Sequence, residues 1–215
     1  MTSRQQQAGI RRTLIILLVI IVAVLALTVH KVLRPQALNE QQLQALNAFV
    51  FDQPRRFSDL ALLDHRQQPF TREKFLGQWS LVYFGFTHCP DICPTGLMDI
   101  NRVLAGLPAP LQENTQVVLV SLDPARDTPE VLAQYVTAFN PDFTGVTGDF
   151  VAIRRFANEL NVAFAKTRLG DDYTIDHSTH LVLLNPAGDF HGFFRPPFHP
   201  DTLGTSLPAI VSQWR

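Results

Sequence analysis

"WSLVYFGF", Trp79 to Phe86, is an unbroken aromatic and aliphatic run that leads straight into "THCPDICPTGL", the stretch holding both cysteines of the chain. A half-buried strand would alternate, so a continuous apolar run of this length reads as a strand covered on both faces, as in the centre of an α/β sheet. Beyond it, Leu97, Ile100, Val103, Leu104 and Leu107 recur at helical spacing. The cysteines therefore lie where a buried strand ends and a helix begins.

A second unit of the same kind follows. "TQVVLVSLD", Thr115 to Asp123, is another buried strand, and the loop "PARDTP" leads into a helix over 129–139. Thr128 is its cap, Pro129 its first residue, and Val131, Leu132, Tyr135 and Phe139 its apolar stripe. "FSDLALLDHRQQPF" reads as a short strand, a polar turn over 64–68 and a return through Phe70, while "FTGVTGD" is a short strand or loop. Asp149 can cap "FVAIRRFANEL". "HLVLLNPAGDFHGFF" reads as a hairpin turning at Asn185 to Gly188, and a helix over 199–213 closes the chain against the weakening effect of Gly204 and Pro208. "FHGFFRPPF", 190–198, is either a packed strand and turn or an aromatic docking edge. This order of elements predicts an α/β three-layer domain with a mixed central sheet over residues 57–215, and with the cysteine pair between strand and helix it is the element order of a thioredoxin-like domain.

Ahead of the domain, "TLIILLVIIVAVLALTV", 13–29, carries no charge and is almost wholly aliphatic. As a helix it reaches roughly 25 Å, close to the lower limit for crossing a bilayer. Arg4, Arg11 and Arg12 precede it without an acid among them and Lys31 and Arg34 follow, so the positive-inside bias favours a cytoplasmic N-terminus. The reading is one N-terminal transmembrane helix: 1–12 cytoplasmic, 13–30 anchor, 31–56 tether, with the folded part across the membrane. A cleaved signal peptide is the competing reading, since it shares the basic end and apolar run. Within the tether, Asn39 can cap a short helix bearing Leu43, Leu46 and Phe49. A formal charge of -1, with 17% charged residues and no large basic patch, gives no support to a nucleic-acid partner.

Outside the cytoplasm thiols oxidise, so a cysteine pair that works reduced needs a reductant or a metal. Positions i and i+4 at the first turn of a helix lie on one face, about 6 Å apart, so the sulfurs of Cys89 and Cys93 can converge. Free N–H groups at the helix mouth would favour thiolate, and Pro94 has no donor to waste there. Two thiolates suit Cu(I) with one added imidazole, and zinc with an imidazole and water. Thiol–disulfide exchange needs no metal. As a structural staple the pair closes too few residues to restrict the unfolded chain much. The third donor must come from elsewhere. "DHSTH", Asp176 to His180, precedes a buried strand, and spacing leaves both His177 and His180 open as donors, with Asp176 able to orient an imidazole.

"FGFTHCPDICP", "VSLDPARDTPE" and "DHSTHLVLLNPAGDF" together closely resemble the Sco/SenC family of copper proteins of cytochrome c oxidase assembly, over about residues 50–213. The resemblance implies a thioredoxin-like fold that binds one copper, Cu(I) or Cu(II), through Cys89, Cys93 and His177, with His180 the weaker candidate. It implies a single-pass protein of the bacterial inner (cytoplasmic) membrane with its soluble domain in the periplasm. It also implies a metallochaperone maturing the binuclear copper centre of oxidase subunit II, alongside another periplasmic copper chaperone or thiol reductase. The alternative is a copper-independent thiol–disulfide oxidoreductase in which Cys89 and Cys93 are the redox pair. Asp123 and His88 match residues near the family's site, with a supporting or docking role.

Overall fold

The computed structural model describes residues 2–33 and 37–214, with side chains at 10–29 and 37–214, so Arg4, His30, Lys31 and Arg34 lie outside the described side chains. The chain divides into two units, one ending at Ala37 and the other spanning Leu38–Trp214. The first contains one helix, α1 (Thr2–Leu33), whose stretch Ile10–Val29 is long and apolar enough to cross a membrane. None of that stretch is buried.

The second unit is built in the order α2 (Glu40–Ala45), β1 (Ala48–Arg55), β2 (Leu62–Asp64), β3 (Pro69–Phe70), a 3-10 turn at Arg72–Phe75, β4 (Trp79–Gly85), α3 (Ile92–Ala105), α4 (Ala109–Glu113) and β5 (Thr115–Ser121). It continues through α5 (Pro129–Phe139), β6 (Thr144–Thr147), α6 (Phe150–Glu159), β7 (Phe164–Leu169), β8 (Asp172–His177), β9 (Leu181–Leu184), β10 (Phe190–Phe194) and α7 (Leu203–Gln213). Eight strands form one mixed sheet in the order β1-β10-β9-β4-β5-β6-β2-β3, and β7 and β8 pair separately. The strands β4, β5 and β6 are parallel, and β9 joins β4 antiparallel, Val82 opposite Val182.

The central position of β4 explains its composition. Every residue of β4 is buried, and successive side chains leave opposite faces. Tyr83 meets α3 and the Phe198 ring at 6.0 Å, while Phe84 meets Phe156 of α6 at 5.6 Å. Helices therefore cover both sides, the three-layer arrangement expected. The caps also follow the sequence. Thr128 Oγ accepts from the Val131 amide at 3.4 Å, and the Asp149 carboxylate accepts from the amides of Val151 and Ala152 at 2.9 and 3.1 Å. The closing helix α7 forms with Pro208 inside it, because Leu203, Leu207 and Ile210 bury its apolar face.

One expectation is corrected. The domain begins at Leu38 rather than Phe57. Asn39 caps α2 as expected, but Phe49 belongs to β1, which pairs with β10 through Ala48–Phe194 and Phe49–Phe193 and so adds an edge strand built from the expected tether. The aromatic stretch 190–198 is mostly packed: Phe190, Phe194 and Phe198 are buried, and Phe193 stacks on Phe49 at 5.0 Å.

His191 on β10 is also buried, wedged edge-on against Trp79 at 5.2 Å and Trp214 at 5.3 Å, with its Nδ1 unpartnered. Burial pushes its imidazole down to about 4, and burial likewise lowers His65 and His180. The unfolded chain takes up these protons near pH 6.5, so it binds more protons than the native state below that value. Stability is full above about pH 6.5 and is lost as pH falls toward 4, by on the order of 3 kcal/mol for His191 alone. The variant His191→Phe is expected to flatten the fall in urea midpoint between pH 7 and 4.5. An unchanged slope would show that this ring does not carry the acid sensitivity.

Candidate metal centre

The site lies at the carboxyl end of β4, where the parallel strands open toward the loops. Phe86, Thr87 and His88 leave the strand, Cys89 and Pro90 turn the chain, and α3 starts at Ile92. Cys93 is therefore in the first turn of α3 and Cys89 just outside it. The Cys93 amide donates to Cys89 Sγ at 3.4 Å, which brings the two residues onto one corner. Both cysteines are free thiols and both are buried, Cys93 completely and Cys89 to 8% exposure.

Two glycines make room. A Cβ on Gly85 would sit 3.0 Å from Cys93 Sγ, so β4 ends on a residue over which the sulfur can lie. A Cβ on Gly96 would sit 2.7 Å from Tyr83 Oη, so α3 can approach β4 only with hydrogen at that position. The Tyr83 hydroxyl in turn donates to the Ile92 carbonyl at 3.3 Å.

The third donor arrives from a distant segment. His177 is the last residue of β8, and its Nε2 stands 3.5 Å from Cys93 Sγ across 84 positions of sequence. Its Nδ1 is 2.8 Å from the Ser178 carbonyl, which can only accept, so Nδ1 carries the proton and Nε2 presents a lone pair to the sulfur. The ring edge packs on Phe86, centroids 6.1 Å apart. Burial holds the imidazole below its usual range, so it stays neutral and able to donate electrons.

Two expectations about this corner are corrected. His177 does not sit in a loop ahead of β9; it ends the β7–β8 hairpin, which the sequence reading missed although "DYTIDH" alternates after the turn at Gly170 and Asp171. The helix mouth also does not lower both thiols. Burial, followed by the hydrogen bond with Cys89, pushes the Cys93 thiol up, because desolvation there outweighs the partial charge of a helix end.

The remaining candidates fall around the site. His180 turns away to pack on Phe193 at 5.1 Å with Nε2 buried and unpartnered, a packed residue. The Asp176 carboxylate bonds to Thr167 Oγ at 2.5 Å, and Ser178 rather than Asp176 orients the His177 ring. His88 is half exposed, its Nδ1 3.0 Å from Thr87 Oγ and 3.9 Å from Asp127. Asp123 is buried in an ion pair with Arg126 and accepts from the Tyr173 hydroxyl at 2.9 Å.

Asp127 was not singled out from sequence, yet it holds the loop that carries Cys89. Fully buried, its carboxylate accepts from the Thr87 amide at 3.1 Å and from the hydroxyls of Thr87 and Ser121, both at 2.6 Å. Ser121 Oγ also accepts from the Asp123 amide at 3.0 Å, so one buried group ties the end of β4 to the end of β5. The signal was present as a second acid in "DPARDT", four residues after the first.

The donor set is two sulfurs and a neutral nitrogen, a soft combination. Donors bound to one ion at roughly 2.0 and 2.3 Å with open angles stand about 3.5 Å from each other, which is the Nε2 to Sγ separation seen here. Among the described residues no three His, Cys, Asp or Glu side chains are drawn into a finished cage.

The SCO1/SenC family model matches residues 52–212. A Stutzerimonas stutzeri protein named putative copper-binding protein is 38% identical over 174 residues, covering 80% of this chain and 85% of that one. The human mitochondrial SCO2 homolog is 40% identical over 160 residues, covering 73% of this chain; the chain spans 60% of the length of the human relative and of its mouse counterpart. In structure, the chain is similar to Arabidopsis thaliana ScoI solved with copper bound, with a TM-score of 0.70 at 31% identity over 74% of this chain and 99% of that one. Yeast Sco1 solved with copper bound gives a TM-score of 0.68 at 31% identity, over 75% and 91%.

Proposed function

The chain belongs to the SCO1/SenC family, and from that membership we propose that it is a copper chaperone of cytochrome c oxidase assembly whose cargo is held by Cys89, Cys93 and His177. The observation that carries this reading is the 3.5 Å approach of His177 Nε2 to Cys93 Sγ. Relatives and fold neighbours that are named for copper or were solved with it support the choice of ion. One copper enters as both thiols give up their protons, so loading weakens as pH falls. The imidazole is the donor that leaves first on transfer, being neutral, and a thiolate or imidazole of the recipient takes its place.

The recipient is oxidase subunit II, with another copper chaperone or a thiol reductase upstream. The helix α1 anchors the chain in a bacterial inner membrane with the domain in the periplasm, which its apolar stretch Ile10–Val29 supports. Copper-independent thiol exchange is the weaker reading, because attack needs an accessible thiolate, and neither sulfur is exposed while burial pushes the Cys93 thiol up.

The deciding experiment measures copper in subunit II of cells that lack the native gene. Wild type is expected to restore occupancy, and Cys89→Ser to restore none. Recovery of the Cys89→Ser strain by added copper supports delivery. Recovery by a small reductant without added copper would replace delivery with thiol reduction.

A further inference from the structure

The hairpin that brings His177 to the sulfurs stands outside the eight-stranded sheet. Its two strands pair only with each other, from Phe164 opposite His177 to Leu169 opposite Asp172, and most of its side chains are exposed, with Ile175 the one buried residue of the two strands. An isolated two-stranded ribbon is marginal in water and needs to be held. A cavity of about 410 Å³ separates much of it from the body, with Phe164, Lys166 and Tyr173 on the hairpin side and Leu122, Pro124 and Phe150 on the other. Across that gap the Phe150 and Phe164 rings meet at 6.0 Å and Ile175 reaches the core, while Ser178 bonds to Ala163 at the base of the hairpin itself.

A polar latch also crosses the gap. The Tyr173 hydroxyl donates to Asp123 Oδ1 at 2.9 Å, and the other oxygen of Asp123 pairs with Arg126 Nε. The Arg126 guanidinium lies 3.8 Å from the centre of the Tyr173 ring and donates through Nη1 to the Tyr173 carbonyl at 3.3 Å and to Asp172 at 3.4 Å. It also lies 5.9 Å from the Phe86 ring, the ring on which His177 packs. Asp123 and Arg126 are on the loop after β5, Tyr173 is four residues before His177, and no other charged pair joins hairpin to body among the described residues.

We propose that Tyr173 and Arg126 are positioning residues that clamp the β7–β8 hairpin to the loop after β5, and so set how long the His177 imidazole stays on copper. The release half of this inference rests on the copper reading above; the clamping half stands on the hairpin alone. A latch made of one hydroxyl, one guanidinium face and one carboxylate can open without unfolding the sheet, because the strands it holds share no ladder with it.

The test uses full-length Tyr173→Phe in detergent, which keeps the ring and deletes only the hydroxyl. In metal-free protein, amides of residues 165–176 are expected to exchange three- to tenfold faster, the size of one lost hydrogen bond, while amides of β4 and α3 keep their wild-type protection. In copper-loaded protein, transfer of Cu(I) to an excess of a chelator such as bathocuproine disulfonate is expected to speed up by a similar factor with one copper still bound at the start. Hairpin exchange equal to wild type, or faster exchange spread over the whole domain, would overturn the clamp. Faster hairpin exchange with unchanged copper release would overturn its control of the imidazole. Wild-type chain that takes up no copper would defeat the copper reading and the release half with it, and the exchange data would still decide the clamp.

Discussion

Full-length protein carrying Cys93→Ser is expected to keep its fold and to lose Cu(I) affinity by more than about a hundredfold, beyond the 10- to 100-fold typical of losing an outer contact to a metal site. Serine has nearly the shape of cysteine, so the pocket over Gly85 stays filled. A hard hydroxyl that remains protonated is nevertheless a poor partner for a soft monovalent ion. His177→Ala is expected to cost less, about 10- to 100-fold, since it removes a neutral donor and leaves both sulfurs. The measurement is competition with a Cu(I) chelator of known affinity at fixed pH. If the histidine variant proved weaker than the cysteine variant, or if either matched wild type, the three-donor assignment would be wrong. Fixed pH matters because both thiols must give up protons on loading, and burial already disfavours the Cys93 thiolate.

The largest effect on stability is expected at Asp127. Its carboxylate is fully buried and satisfies three donors, the Thr87 amide and the hydroxyls of Thr87 and Ser121. Asp127→Ala leaves these donors facing a small cavity, at a cost of about 3 to 4 kcal/mol. For a domain of this size that lowers the melting midpoint by roughly 6 to 15 °C. Asp127→Asn, which retains one accepting oxygen, should lose roughly half as much. Calorimetry of the two variants checks the ranking. A shift below about 2 °C for Asp127→Ala would mean that the loop carrying Cys89 is held by its covalent connections and by packing alone. Because Thr87 lies two residues before Cys89, the alanine variant should also bind copper more weakly than its loss of stability explains.

Much of this molecule was legible in one dimension, and the legible parts share a cause. The uninterrupted run of β4, the apolar period of α3 and the capped periods of α5 and α6 are local patterns set by burial on both faces or on one side of a helix. The thiol pair was legible for the same reason, since four positions at a helix start fix where the chain carries two sulfurs. The strand β1 was misread as tether because an edge strand is only half buried and its partner β10 lies about 140 residues later in the chain. Asp127 escaped notice because a buried carboxylate in a loop looks, in sequence, like any polar turn residue.

The choice between His177 and His180 shows the boundary most clearly. Spacing left it open, and family resemblance pointed to one of them. Residue order alone determined that a soft donor pair sits where a covered strand meets a helix, and that an apolar stretch precedes the domain. Which imidazole reaches the sulfurs depends on the path of a hairpin that pairs with nothing but itself and whose tyrosine meets an arginine and an aspartate of another loop. Those contacts join residues some 50 positions apart, and no periodicity in the chain encodes a meeting made only when the sheet has formed.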